Sequence, residues 1–314
     1  SSINAKILAM LKFSVIVTSY KEPQTIGKAI EQIVNPNKNL WNEMQLIVVA
    51  GDDETLEVAK LRLLQLSGFK NYILIKDNAK GKPQALNMAV AKAATPVLIL
   101  TDGDMYIDDN AISLLLEQIM KKRVAGVSGH PISLDDRKTF WGFSSHLYCY
   151  GAHKARSEKN SQTPMSGYLY AIKNLNGIFP LPKNVRAEDA YISNKIIELG
   201  FKIEYSPNSY AYVYFPKTLK DWINQKKRSL GGNKQLNSTR NIFQDLQKAL
   251  LPLQFAKSPK EYLFVVAIYP LRLCLWIIIY LQHTKKSYSV GRWERIESSK
   301  FRGYPGSGVA PSSG

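Results

Sequence analysis

Two carboxylates one residue apart, Asp102 and Asp104, follow the apolar run Pro96–Leu100. A run of Val, Leu and Ile without polar alternation reads as a strand buried on both faces, and a parallel sheet offers functional groups to ligands at the carboxyl ends of such strands. Two acids placed there can hold a hard divalent cation, and the cation can hold a diphosphate. Gly103 between them lets the backbone come close to a ligand. An Asp-Gly-Asp standing alone is also an ordinary solvated turn, so its meaning depends on what surrounds it. Three sets of residues do so: Asp52 with Asp53, Glu188 with Asp189, and Gln225 with Arg228.

Asp52 and Asp53 follow Gly51 at the end of a second apolar run, where a carboxylate can accept a hydrogen bond from a uracil N3–H or a ribose hydroxyl. Asp53 and Glu54 could equally cap a helix that begins near Thr55. Tyr20 and Glu22, at the end of the first apolar run, are candidates to flank a base. Lys80 and Lys82 stand on a loop that opens a helix, and a helix amino end favours phosphate. Glu188-Asp189 precedes the helical pattern AYISNKIIEL; capping explains one acid there, not two in that order. Gln225 and Arg228 are three apart and share one helix face, from which Arg228 can neutralise charge on a departing diphosphate. Lys226 and Lys227 read as contributors to net charge.

These residues need a scaffold, and the chain alternates strand and helix patterns that supply one. Strands are expected at 13–18, 45–49, 72–75 and 97–100, with helices at 25–34, 55–66 and 83–93 between them. That βαβ rhythm predicts an α/β fold, a mostly parallel sheet flanked by helices on both faces. From Gly126 the rhythm loosens into short strands and loops until a helix at 190–199. The aromatic stretch Phe140–Tyr150 is a candidate lining for an acceptor groove.

The chain has 314 residues, 45% of them hydrophobic, enough for one large core with an appendage, and a net charge of +17. Such an excess favours anionic partners: nucleic acid, an acidic membrane face or a diphosphate. The basic residues are spread along the chain rather than clustered with aromatics, which argues against a nucleic-acid-binding module. Cys149 and Cys274 have neither disulfide nor metal-ligand spacing, pointing to a reducing, cytosol-facing catalytic part. The four histidines lack ligand spacing, and no GxGxxG follows the first strand, which disfavours a dehydrogenase. No secretory leader is visible in 1–10. Residues 262–282 are long enough to cross a bilayer but carry Pro270 and Arg272 near their centre. The segment is therefore a membrane helix, a membrane-surface helix or a helix packed on protein. Residues 242–255 have the spacing of an interfacial helix, and the Gly-, Ser- and Pro-rich tail 301–314 is expected to be disordered.

The order of these elements resembles the family 2 glycosyltransferases, which have the GT-A fold and include cellulose, chitin and hyaluronan synthases. The matching segments are VTSYKEP after the first strand, Lys80-Gly81-Lys82 with Ala85-Leu86-Asn87, the Asp102-Gly103-Asp104 motif, and Ser166-Gly167 through Ala171 and Lys173. Glu188-Asp189 and Gln225 with Arg228 complete the series. Two positions depart from the family pattern. The acidic turn reads Ala50-Gly51-Asp52-Asp53-Glu54-Thr55, and the Trp expected after the Arg is Ser229, with Trp222 on the same predicted helix, so processive extension does not follow from the match.

The resemblance implies that Asp104 ligates Mg²⁺ or Mn²⁺, that Asp102 contacts the ribose or a metal-bound water, and that Asp189, beside Glu188, is the general base. It implies Tyr20, Glu22, Asp52, Lys82, Asp102 and Arg228 around the donor. The expected organisation is an extension at 1–12 and a GT-A domain at 13–240, with a nucleotide-sugar half at 13–125 and an acceptor half at 126–240. An interfacial helix at 241–260, a hydrophobic membrane segment at 261–283 and a tail at 284–314 follow. The expected activity is inverting, metal-dependent transfer from a UDP-sugar to a hydroxyl of a membrane-associated glycan or lipid, with the catalytic domain cytoplasmic and membrane-associated. A catalytically silent nucleotide-sugar-binding protein is the alternative.

Overall fold

The computed structural model describes residues 12–284 except 159, 160, 162, 184, 186 and 235–241, together with 299; the side chains of 227–234, 242–248, 276 and 278–284 are also outside the description. The expected N-terminal extension, up to residue 11, and the expected disordered tail lie outside the described residues.

The first half follows the predicted rhythm closely. Strands β1 (Phe13–Ser19), β2 (Met44–Ala50), β3 (Tyr72–Lys76) and β4 (Val97–Asp102) alternate with helices α1 (Ile26–Val34), α2 (Asp53–Gln65) and α3 (Lys82–Val90). β1 pairs in parallel with β2 and β4, and β2 with β3. Every residue of β1 and β2 is buried because helices cover both faces. Side chains alternate between those faces: Val15, Val17, Leu46 and Val48 pack into one core with Ile26, Ile30 and Ile33 of α1. Ile16, Ile47 and Val49 pack into the other core with Ala85, Leu86 and Ala89 of α3. Each fully buried Val, Ile or Leu contributes about 1.5–3 kcal/mol, so the strand register and the acids at the strand ends are held firmly.

The second half comprises β5 (Tyr106–Ile107), α4 (Ala111–Ile119), β6 (Val124–Ser133), α5 (Phe140–Ser157), β7 (Leu169–Lys173), α6 (Glu188–Glu198) and β8 (Lys202–Val213). Within the described residues the sheet runs β3-β2-β1-β4-β7-β6-β8-β5. β7 is antiparallel to β4 and β6, β8 is parallel to β6, and β5 is antiparallel to β8. The sheet is therefore mixed, as well as mostly parallel. It is also curled. β4 and β5 stand four places apart in the sheet, about 19 Å if it were flat, whereas the backbone from Asp102 to Tyr106 reaches at most about 14 Å. The aromatic stretch expected to line a groove begins α5, an 18-residue helix capped by Thr139, whose side chain accepts from Gly142 N.

Beyond the sheet lie α7 (Leu219–Lys234), α8 (Ile242–Phe255) and α9 (Pro259–Thr284). Phe255, Ala256, Val265 and Ile268 of the α8–α9 hairpin pack on Phe143 and Leu147 of α5. Arg137 clamps the hairpin: its guanidinium meets Glu261 at 2.7 Å, donates to the Phe255 carbonyl at 3.2 Å and lies 4.2 Å from the Phe255 ring. Among the described residues no helix is long and apolar enough to cross a membrane. Val265 and Ile268, in the stretch 261–283 expected as a membrane segment, pack on α5. Pro270 and Arg272 within that stretch interrupt the apolar run that a crossing would require.

Candidate active site

Because β1 to β4 run parallel, their carboxyl ends share one edge of the sheet, and Glu22, Asp52, Asp77 and Asp102 come at or just after those ends. β7 runs the other way, so the residues before it, Ser166 and Gly167, arrive at the same edge.

Lys82 stands at the centre. Sequence places it on a phosphate-facing loop; the structure instead buries its side chain, because α3 begins at Lys82 itself and turns the residue inward, while Lys80 remains exposed. The Lys82 ammonium lies 2.8 Å from Asp102 Oδ1, 2.9 Å from Glu188 Oε1 and 3.4 Å from the Gly167 carbonyl oxygen. Burial works against its charge, but Asp102 and then Glu188 outweigh it and hold the ammonium well above the usual lysine range. Asp102 also accepts from Thr18 Oγ1 at 2.7 Å. Burial raises the Asp102 carboxyl, Lys82 pulls it back, and neighbouring Asp104 pushes it up again; the net displacement is upward.

Gly103 is required by close approach. A Cβ there would stand 2.4 Å from Ser19 Oγ and 3.0 Å from Ile26 Cδ1. The two acids of the motif are therefore held apart by backbone pressed against β1. The mutual electrostatic cost of Asp102 and Asp104 and their hard oxygen donors fit a divalent cation such as Mg²⁺ or Mn²⁺. Among the described residues no group of three or more His, Cys, Asp or Glu could hold a metal.

Asp189 begins α6 beside Glu188. One of its carboxylate oxygens accepts from Ala190 N at 2.8 Å, and the other lies against Gly167, where a Cβ would come within 2.9 Å of it. Burial and then the Glu188 charge raise the Asp189 carboxyl to about 6. The acids of the first half and of the second thus share one cleft, joined through Lys82.

The remaining candidates are distributed around this centre. Asp52 caps α2, accepting from Thr55 N at 2.9 Å and Lys21 N at 2.5 Å. The capping expected of Asp53 or Glu54 falls to Asp52 because its backbone is extended there, whereas Asp53 is exposed and pairs with Lys76. Burial opposes the Asp52 charge, but the hydrogen bonds from Thr55 and Lys21 prevail and lower its pKa. Glu22 is buried and accepts from Ser19 Oγ at 2.7 Å, while its backbone N–H donates to Thr55 Oγ1; it ties the loop after β1 rather than opening toward a base. Tyr20 is half-buried over Gly51. Gln225 lines the cleft from α7; Arg228 lies in the same helix, its side chain outside the described residues.

A cavity of about 690 Å³ opens from Lys82, Asp102, Glu188 and Asp189 and continues between α5, α7 and the α8–α9 hairpin. Trp141, Trp222, Arg156, Lys226 and Arg272 form part of its walls. Trp141 belongs to the aromatic stretch that the sequence marks as a groove lining, but sequence reasoning did not single out Arg156 and read Lys226 as charge alone; helices distant in sequence bring them together, and no local pattern signals that. Asp77 was missed as well. It is buried at the end of β3, accepts from Ala79 N at 2.6 Å and is raised by burial; the strand-end rule that picked out Asp52 and Asp102 would have found it.

A family model described as glycosyltransferase like family 2 matches residues 11–232. The poly-beta-1,6-N-acetyl-D-glucosamine synthase of Staphylococcus aureus is 22% identical over 259 residues, covering 76% of this chain and 58% of that protein. The same enzyme of Staphylococcus epidermidis is 22% identical over 245 residues, covering 71% and 55%. The chain therefore spans somewhat over half the length of these curated relatives. Among solved structures, the mannosyltransferase PcManGT from Pyrobaculum calidifontis, in complex with GDP-Man and Mn²⁺, aligns with a TM-score of 0.58 at 18% identity over 86% of this chain and 80% of that one. S. aureus TarS 1–349 in complex with UDP-GlcNAc aligns with a TM-score of 0.51 at 18% identity over 78% and 71%. These structures share the fold. The family match covers most of the chain: this protein belongs to the glycosyltransferase like family 2.

Proposed function

We propose that the enzyme transfers a sugar from a UDP-sugar to an acceptor hydroxyl at a membrane surface, with inversion at the anomeric carbon and dependence on Mg²⁺ or Mn²⁺. The observation that carries this reading is the Lys82 bridge, which puts the motif acid Asp102 and the acid pair Glu188-Asp189 in one cleft at ion-pair distances. UDP-GlcNAc is the first donor to try, since TarS was solved with it and the curated relatives are named as N-acetylglucosamine polymer synthases.

Asp104 and Asp102 would hold the cation at the end of β4, where it would offset negative charge on the diphosphate. Asp189 takes the proton as the acceptor oxygen bonds to the anomeric carbon; the bond from that carbon to the diphosphate breaks, and its electron pair leaves with the UDP. A carboxyl raised to about 6 is ionised at neutral pH yet more basic than an ordinary aspartate, as a general base requires. Asp102 and Glu188 are tethered by Lys82, so Asp189 is fixed relative to the donor's acids. Gln225 lines the cleft, and Arg228, three residues on in the same helix, is the residue that the family resemblance assigns to neutralising the leaving group.

Support for the membrane comes from the hairpin. Its outward side exposes Leu250, Leu253, Leu263, Val266, Leu273 and Ile277, with Leu263 and Val266 about 70% exposed, and the exposed Lys257 and Lys260 flank it. An apolar face rimmed by cations suits an anionic bilayer surface. The free thiols of Cys149 and Cys274 are consistent with a cytoplasmic catalytic domain.

The test is UDP release across a panel of UDP-sugars, with GDP-mannose as comparison, in Mn²⁺ or Mg²⁺, with and without a membrane extract. Release stimulated by the extract and abolished by chelation is expected. UDP binding without turnover on any donor would make the protein a silent nucleotide-sugar binder.

A further inference from the structure

The cavity does not end at the catalytic acids. It runs on between α5, α7 and the hairpin, and its lining is both polar and apolar. Lys82, Asp102, Glu188 and Asp189 line it, and so do Leu251, Ile268, Leu271 and Leu275 of the hairpin. Three cations also border it: Arg156 from α5, Lys226 from α7 and Arg272 from α9. None of the three forms an ion pair among the described residues. Arg156 donates through Nε to the Pro164 carbonyl at 3.0 Å, and the Lys226 ammonium stands 4.0 Å from the centre of the Tyr148 ring.

Lys226 is partly buried and shares the wall with the charge of Arg272, and neither forms an ion pair among the described residues; this is costly, and an anionic ligand relieves that cost. Sulfate- or phosphate-like anions need such donors, and an isolated neutral sugar does not. Arg272 is the residue that makes the apolar stretch of α9 a poor membrane span, and its place on the cavity wall supplies a use for it. We propose that this cavity is an acceptor subsite for a phosphate-bearing lipid: the phosphate rests among Arg156, Lys226 and Arg272, the hydrocarbon chain follows the apolar hairpin wall, and the hydroxyl-bearing head reaches Asp189. The inference rests on the transfer reading above and names its acceptor class.

The charge complementarity is specific to this wall. Burial and then Arg272 lower the Lys226 ammonium to about 8, as expected when two cations share a site; a bound phosphate would raise it again. Arg156 is close enough to Asp189 to oppose the rise in that carboxyl's pKa, so the phosphate position and the base are neighbours. The Arg137–Glu261 clamp holds the hairpin wall against α5, which keeps the apolar zone formed before a ligand arrives.

The experiment is titration calorimetry of the full chain with three probes below their aggregation limits: dodecyl phosphate, an uncharged dodecyl ether of equal chain length, and inorganic phosphate. Dodecyl phosphate should bind at least about tenfold more tightly than either of the others. Lys226→Gln and Arg272→Gln should each weaken it by about tenfold, and should leave the uncharged ether unchanged. Equal binding of the ether would overturn the anionic subsite, equal binding of inorganic phosphate would overturn the lipid part, and native affinity in both variants would overturn the assignment of these cations. UDP with Mn²⁺ is titrated on the same samples. Loss of dodecyl phosphate binding with UDP binding intact sinks this inference alone. Absence of UDP binding in the native protein, with dodecyl phosphate bound, sinks the transfer reading instead. Arg272 is exposed on α9, so its variant remains a usable test if Lys226→Gln fails to fold.

Discussion

The two halves of the sheet place their chemistry differently. In the first half, acids stand at or just after the ends of parallel strands, two of them wholly buried, and each is tied by hydrogen bonds to a neighbouring turn or strand: Asp52 to Thr55 and Lys21, Asp77 to Ala79, Asp102 to Thr18. In the second half the walls of the cavity come from α5, α7 and a hairpin with many exposed apolar residues. On the proposed reading, donor chemistry is fixed by strand register, whereas acceptor selection is left to helices hung on the sheet. Lys82 is where the two meet, bonded to an acid from each.

That contrast can be broken at several points. The largest effect is expected from Asp189→Asn, which removes the proposed base from the second half: transfer should fall by about 10²–10⁴-fold in a steady-state assay while UDP affinity by calorimetry is unchanged. A comparable loss of UDP affinity would show that the halves are not separable. Lys82→Met strands Asp102 and Glu188 without their shared cation and should cost about 3–5 kcal/mol of stability, read by urea unfolding; a loss near zero would mean that the bridge does not join the halves. Gly103→Ala sets a methyl group against Ser19 and should cost about 1–3 kcal/mol, with weaker Mn²⁺-dependent UDP binding and an unaltered pH profile.

The smallest effect is graded. With the Asp189 carboxyl raised to about 6, transfer should decline below that pH by about tenfold per unit. Stability at this group runs the other way. Its folded pKa exceeds the unfolded value of about 3.9, so the stabilisation it provides is complete below that value and is lost as pH rises through about 6. Matched pH series of activity and urea midpoint would reveal the opposed slopes; parallel slopes would remove Asp189 from the role of base.

Much of the first half was legible because its physics is local. A run such as Phe13–Thr18 or Val97–Leu100 can be read as a doubly covered strand without knowing its partners, and a parallel sheet then fixes where the acids must emerge. The strand boundaries differ from expectation by one or two residues, within the ordinary uncertainty of element ends. The second half was less legible. Nothing local in Lys226, Arg272 or Arg156 says that three helices converge there, and the curl that brings β5 back to the edge of the sheet depends on the short link Gly103–Met105, which a strand count does not reveal. Lys82 shows the intermediate case: the sequence puts it on the loop that opens a helix and it is the first residue of that helix, but whether the side chain faces outward or inward depended on Asp102 and on Glu188, more than a hundred residues away.

The hairpin that Arg137 fastens to α5 has a practical consequence. A shortened protein ending before Ile242, trimmed to make it easier to handle, would keep each acid along the sheet edge but lose one side of the acceptor's route. Water would then occupy the vacancy, and the fragment would be mistaken for a sugar-nucleotide hydrolase.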